Sequence, residues 1–486
     1  MRAVFLSLSA FLSLSVCKCF IAPSLQKPQG KRTRPVPSRQ INRLSSVSSE
    51  LTALSAEKDE TPLPPGDVSF LSSLKFLFQF LLIPFWKLLA RKRSKYGPLL
   101  MLRAGPTRQV WIGNWDLLEK VYGLKECAAR SELEGRPFGD FLFRVENPEE
   151  AARIREKQFG WLQKNLVGGK NHQKMIEEGM KPLYSRIPTE TATEWPHEDV
   201  SDNIYRILIG CLWGNLYSLT EVELKELRQL LNEFLAIRFK MDRKKKQRDE
   251  VSAGIRRVIQ KGLTNAGHTS EETEQILLPL TVATSVGGAD VLPTLFQWIM
   301  LVCACVPERQ ERLRNLSKPE DIVSEIYKII RRCPYSVALG PPRRCLEDVE
   351  IDLDSLNIPE GERKASGTVK IPKGAMLFAM HPTVVDGAGC KYGEVAEDDY
   401  GRVAFGSGLR SCVGKSVVDT LLPLMVKEFL QHYSVSLSVG RDWEKANEWR
   451  RWFDERDPGK VKTKQRGMLL APYKTPELVF SSRGRP

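Results

Sequence analysis

Residues 405–414 read FGSGLRSCVG, and they set Cys412 among three glycines, an arginine and an aromatic ring. A cysteine that only packs needs no such neighbours. A sulfur that binds a metal or attacks a substrate does need them, because its thiolate must be kept open, dry and hydrogen-bonded. The other thiols supply the contrast. The chain has ten cysteines with no CxxC pair and no regular spacing. Cys17 and Cys19 lie near the N-terminus, and the rest, Cys127, Cys211 and Cys390 among them, are scattered as reduced thiols are. A hydrolase built on Cys412 would need a histidine and an Asn or Asp beside the sulfur. The five histidines, His172, His197, His268, His381 and His432, sit in no recognisable hydrolase motif.

Phe405, Gly406, Gly408, Arg410, Cys412 and Gly414 match, position for position, the haem-binding loop of the cytochrome P-450 superfamily. On these residues the chain is identified as a divergent member of that family. The resemblance implies haem b with Cys412 as the iron ligand, a thiolate that pushes electron density towards bound oxygen and favours O–O cleavage. It implies that glycine backbone N–H groups approach the sulfur, that Arg410 pairs with a haem propionate, that Phe405 shields the sulfur, and that Gly414 lets the next helix pack on the porphyrin. The segment from Gly168 resembles the helix that crosses one haem face and offers cations to the propionates, where only His172 and Lys174 remain. The stretch from Val286 resembles the long helix over the oxygen site, and IPKGAMLF the strand pair after the core-locking helix. Arg136 and Pro137 resemble the residues that close the first hairpin region.

Three departures stand out. The family's Glu-x-x-Arg falls in SEIYKIIRRCP, with Arg331 in the Arg place and Lys328 where Glu belongs, and Glu325 one turn earlier as a partner for Lys328. Ile322, Ile326, Ile329 and Cys333 keep an apolar face on that helix. In the oxygen helix, Gly287, Gly288 and Asp290 match, but the threonine place holds Val291, which cannot relay a proton. Pro293 follows and removes the donor for the Ala289 carbonyl. Two readings of it stand: Pro293 opens the helix and Thr294 acts as a displaced donor, or Pro293 is a tolerated kink and proton delivery is lost. The catalytic candidates are therefore Asp290 and Thr294. Third, the region between His172 and the long helix is compressed, and HPTVVDGAGCKYGEVAEDDYG replaces the family's acid–arginine loop.

The elements that must position these residues read as mainly α with a small β portion, in one large haem-binding domain over 94–486. YGPLLMLRAGPTRQVWIGN alternates about a Gly-Pro turn and predicts a hairpin. Residues 115–264 are mostly helical by period, with a capped apolar helix in DVSDNIYRILIGCLWG. RFKMDRKKKQRDE reads as a solvated helix face. One long helix is predicted from Ser270 to Val306. Ahead of the domain, residues 1–19 read as a signal peptide and 20–60 as a basic, acid-poor transit-like leader, together resembling the bipartite leaders of secondary plastids; the alternative is a plain secretory signal and a place at the endoplasmic reticulum membrane. Residues 68–93 are apolar and aromatic but interrupted by Lys75, Gln79, Pro84 and Lys87, which suits membrane association, interfacial or as a tilted anchor, with Arg91, Lys92 and Arg93 as its basic end; the alternative is a buried first helix of the globular domain.

Net charge is +14, but eight of those charges lie in the first 49 residues and only +6 remains on the rest, so the whole-chain charge does not argue for a nucleic-acid partner and none is expected. The leading reading is a haem-thiolate monooxygenase that inserts one oxygen atom of O2 into an apolar substrate. Its electrons come from a separate protein, of ferredoxin type in a plastid, docked near Arg402, Arg410 and Lys415. Two alternatives are a hydroperoxide-rearranging relative, which Val291 fits, and a degenerate haem binder without catalysis.

Overall fold

The computed structural model describes residues 61–69, 85–104, 107–129, 147–169, 171–237, 245–332, 343–356, 363–380, 405–438 and 475–483, with 79, 358, 444, 447–451, 463–466 and 469–472 between them. The leader, Arg136, Pro137, Cys333 and residues 381–404 with Arg402 lie outside the described residues.

The helices are α1 (Phe85–Tyr96), α2 (Trp115–Gly123), α3 (Pro148–Leu162), α4 (His172–Tyr184), α5 (His197–Trp213), α6 (Glu221–Ile237), α7 (Lys245–Asn265), α8 (Leu278–Gly288), α9 (Val291–Cys305), α10 (Pro307–Asn315), α11 (Pro319–Arg332) and α12 (Lys415–His432). Strands β1 (Gly66–Asp67), β2 (Leu99–Ala104), β3 (Thr107–Ile112), β5 (Arg343–Arg344) and β8 (Met376–Ala379) form one sheet in the order β1-β2-β3-β8-β5. The predicted hairpin is β2–β3, antiparallel from Leu99 opposite Ile112 to Ala104 opposite Thr107. The two halves of IPKGAMLF enter different sheets. β8 lies parallel to β3, while β7 (Thr368–Ile371) pairs with β6 (Val349–Asp352). A second sheet joins β4 (Ala192–Thr193), β12 (Leu478–Ser482) and β9 (Tyr433–Leu437), and β10 (Thr463–Arg466) pairs with β11 (Leu469–Pro472).

Local signals account for most boundaries. α3 starts at Pro148 because Asn147 Oδ1 accepts from the N–H groups of Glu149 and Glu150. α5 ends because Gly214 turns left-handed at φ +74°. It packs on α8 through two buried hydrogen bonds, Trp213 Nε1 to Thr281 Oγ1 at 2.9 Å and Tyr205 to Ser285 at 3.0 Å between their hydroxyls. Helix α9 is the centre of the core, with every residue from Leu292 to Cys305 buried. Each large apolar side chain buried there contributes about 1.5–3 kcal/mol.

The long helix predicted over Ser270–Val306 is not continuous. A helical turn capped by Thr269 passes through a π turn at Thr273–Leu277 into α8, which stops at Gly288, and α9 begins at Val291. Pro293 has no N–H to offer the Ala289 carbonyl, and Gly287 and Gly288 are weak helix formers, so the strand of hydrogen bonds parts between them.

No single helix among the described residues is long and apolar enough to cross a membrane. Of the basic end assigned to a membrane face, Arg91 is exposed, but Lys92 and Arg93 are buried, and Lys92 pairs with Asp67 beside β1. Lys92 buries its stem while its charge finds a carboxylate, as long cationic side chains do at a domain edge.

Candidate functional site

Cys412 lies just ahead of α12, so the positive end of an 18-residue helix faces its surroundings. Its N–H donates to the Phe405 carbonyl at 2.8 Å and closes the loop. Gly406 and Gly408 sit in the left-handed region at φ +70° and +67°, and a Cβ at Gly408 would come within 2.1 Å of the Tyr122 carbonyl. Gly414 needs no special backbone, but a Cβ there would stand 3.4 Å from Cys412 Sγ. Cys412 is exposed, whereas Cys127, Cys211, Cys303, Cys305 and Cys345 are buried.

Three guanidinium groups converge on this loop. Arg410 is buried and donates from Nε to the Ala128 carbonyl at 2.9 Å, and burial pushes its pKa down to about 10. Arg343, the first residue of β5, donates to the Tyr122 carbonyl at 2.8 Å and to the Ser407 carbonyl at 2.6 Å. Burial pushes Arg343 down to about 10, with Arg410 and Arg155 acting in the same sense. Arg155 on α3 donates to the Ser411 carbonyl at 2.5 Å and to Ser411 Oγ at 2.9 Å. Burial lowers Arg155 as well, while the charge on the Cys412 sulfur opposes that shift. Among the described residues, Arg155 and Arg343 have no carboxylate partner. Beneath them, Cys127 and Cys345 meet at 3.4 Å between sulfurs, and backbone bonds from Arg344 to Ala129 and from Leu346 to Glu126 tie the segments together.

Other expected residues lie elsewhere. His172 and Lys174 are on α4, which packs on α5 and α12. His172 is buried against Gly169, and burial lowers its pKa, so it is a neutral core histidine at pH 7 and not a cation. Lys174 is exposed and lies 4.0 Å from Glu178 one turn on. It is α3 rather than α4 that reaches the cysteine loop, through Arg155 to Ser411. Glu325 does not pair with Lys328. It is buried and held by Arg309 and Arg312 of α10, because α11 turns that face inward. Ile322, Ile326 and Ile329 are buried as expected. Arg410 is too buried to serve in a docking patch, and Lys415 is paired with Asp419. Asp290 is exposed at the break between α8 and α9. Thr294, one turn on, is fully buried, its backbone N–H reaches the Asp290 carbonyl at 3.2 Å, and its hydroxyl has no hydrogen-bond partner among the described residues. Ala283, Thr284, Gly287, Gly288 and Val291 form a half-buried stripe of mostly small residues along this helix pair.

A zebra fish cytochrome P450 solved with progesterone superposes with a TM-score of 0.59 at 16% identity, covering 82% of this chain and 100% of that one. The same description holds for a zebra fish cytochrome P450 with abiraterone, with a TM-score of 0.56 at 16% identity, covering 82% and 99%. The chain has the cytochrome P450 fold. No protein-family model and no curated protein sequence matches it.

The residues of this P450 fold suit a haem. An exposed thiol stands where no side chain at 414 crowds the sulfur, and three arginines lie around the loop, two of them without carboxylate partners among the described residues, for the two carboxylates of the porphyrin. Arg343 and Arg155 escaped the sequence reading. Arg343 had a signal, an arginine following two prolines at the head of a strand. Arg155 had a weaker one, a charge four residues after Ala151 and one after Ile154, inside the buried stripe of α3.

Proposed function

We propose that the protein is a haem-thiolate monooxygenase with haem b held by Cys412, inserting one oxygen atom of O2 into an apolar substrate. The observation that carries this reading is an exposed thiol, the only one among the described residues, in a loop flanked by Arg155, Arg343 and Arg410. Haem, when bound, supplies the two-electron activation of O2 that no side chain provides. Cys412 Sγ holds the iron, and the three guanidinium groups hold the carboxylates and exclude water from them. Asp290 exchanges a proton with solvent at the helix break, and Thr294 Oγ1, one turn inside, passes a proton on. The half-buried stripe from Ala283 to Val291 offers little polarity, which supports an apolar substrate, as does the steroid in the zebra fish structure.

Electrons come from a separate protein. The plastid-like leader supports a plastid location and an acidic donor of ferredoxin type, whose stimulation of turnover should fade with added salt. The segment 68–93 supports attachment to a membrane surface.

The test is the absorption spectrum of the reduced full-length protein with CO, beside Cys412→Ser. A strongly red-shifted band that is absent from the serine variant establishes thiolate ligation. No haem, or a band indifferent to the substitution, defeats the proposal. Val291 in place of a hydroxyl residue favours a second reading, rearrangement of a hydroperoxide. Turnover of a fatty-acid hydroperoxide without reductant would decide for it.

A further inference from the structure

Helices α11 and α12 meet the cysteine loop through four side chains. The Tyr327 hydroxyl on α11 donates to Asp419 Oδ1 on α12. Lys415, one turn back on α12, donates to Asp419 Oδ2. The Lys415 ammonium stands 5.8 Å from the Tyr327 ring centroid and 5.9 Å from that of Phe405. The Phe405 ring meets Tyr327 edge to face, with centroids 6.2 Å apart at 81°. Phe405 is also the residue whose carbonyl accepts the Cys412 N–H.

We propose that Tyr327, Asp419 and Lys415 are positioning residues that fix Phe405, and through its carbonyl the orientation of Cys412. The physical reason lies in what else holds Phe405. Its ring is half-buried, and its described aromatic and cationic contacts are Tyr327 and Lys415. One carboxylate takes two hydrogen bonds, one from each of the groups that grip the ring, so loss of the carboxylate releases both. Without Asp419 the Lys415 charge is also unpaired at the N-terminus of α12, where a second positive centre is unfavourable. Neighbouring Lys328 occupies the place where the resembling family has an acid, so in this chain the tie from α11 to the cysteine loop runs through Tyr327 instead. The inference rests on the haem-thiolate reading for its catalytic meaning, but the contact network stands without haem.

The experiment uses the full chain with Tyr327→Phe, Asp419→Asn and the double variant, and Glu325→Gln as a control on the same helix. Tyr327→Phe keeps the ring and its edge-to-face contact, so its fold is retained. In the reduced CO complex, the red-shifted band should decay to the shorter-wavelength band of a lost thiolate about tenfold faster in either single variant, the worth of one charge-assisted hydrogen bond. The double variant should decay no faster than Asp419→Asn alone, because both remove one network. In the haem-free protein, alkylation of Cys412, read by mass from its own peptide, should accelerate at least about threefold in both variants. Wild-type rates in both assays overturn the proposal, as does a Glu325→Gln effect on the band equal to that of Tyr327→Phe, which would mean mere loss of fold stability. A wild-type protein with no red-shifted band but faster alkylation in the variants defeats the haem-thiolate reading and leaves the positioning role standing.

Discussion

Arg343 lies across the ring of Tyr122, its guanidinium carbon 3.6 Å from the ring centroid, and it bonds the carbonyl of the same residue at 2.8 Å. Tyr122 is the last but one residue of α2, and Ser407, the other acceptor, belongs to the cysteine loop. One side chain thus joins a helix end, a strand and the loop while keeping N–H groups for a ligand.

That geometry predicts the behaviour of Arg343→Gln. Loss of one charge-assisted contact costs about 1.5–3 kcal/mol of haem affinity, or roughly ten- to a hundredfold. Transfer of haem to an excess of a scavenging apoprotein measures it. Burial holds Arg343 at about 10, below the ordinary arginine value. The charge is therefore complete at neutral pH and is lost as pH rises through about 10. The difference between wild type and variant should stay flat between about pH 6 and 9 and narrow only above that range. A midpoint near pH 7 would show that another group controls the affinity.

His172→Gln separates a core histidine from a haem ligand. Burial lowers the His172 pKa, so in the folded state it resists a proton that the unfolded chain accepts. The group is neutral in both states above its ordinary pKa of about 6.5, and stability is lost as pH falls below it. The variant should gain resistance to acid in a pH titration of unfolding while its haem affinity stays within about twofold. A large drop in affinity would return His172 to the site.

The cysteine loop was legible because its information is local. Gly406, Gly408 and Gly414 each answer a backbone or contact requirement within a few residues of Cys412 or at one neighbouring carbonyl. The break at Ala289–Asp290 was legible only in part: a missing N–H at Pro293 acts four residues back and allows an opened helix or a mere kink, while the apolar pattern alone predicts one helix from Ser270 to Val306. The cations were not. Arg155 reaches Ser411 across 256 positions of sequence, and its helix enters the site only through tertiary packing. The Glu325–Lys328 pairing failed because spacing along a helix gives neighbours on one face but not which face is buried. The inward face of α11 meets two arginines of α10.

Glu325 makes a third prediction. Its carboxylate is 2% exposed, with Arg309 on one oxygen and Arg312 Nε 3.1 Å from the other, where the alignment is too poor for a hydrogen bond. Removing the charge leaves Arg309 half-desolvated without its partner. Glu325→Gln should destabilise the fold by about 2–4 kcal/mol in chemical denaturation, discounted from the fully buried case because Arg312 is largely exposed. An effect under about 0.5 kcal/mol would show that α10 and α11 are held by apolar contacts alone.

Thr294 carries the last prediction, because its hydroxyl is buried and has no partner among the described residues. A buried unpaired hydroxyl costs about 1–3 kcal/mol, and a helix normally repairs this by bonding the carbonyl four residues back. Thr284 does so on α8, donating to the Leu280 carbonyl at 2.9 Å, whereas Thr294 sits four residues after Asp290 at the break and makes no such bond. Thr294→Val keeps the shape and deletes the polar atom, so it should raise stability by about 1 kcal/mol in denaturant titration. If the hydroxyl is kept for proton delivery, the same variant should divert electrons from product to peroxide, measured as product formed per electron consumed. Higher stability with unchanged coupling would leave the hydroxyl without a catalytic role. Lower stability would mean that it has a bonding partner after all, and the proton path through α9 would then need a different donor.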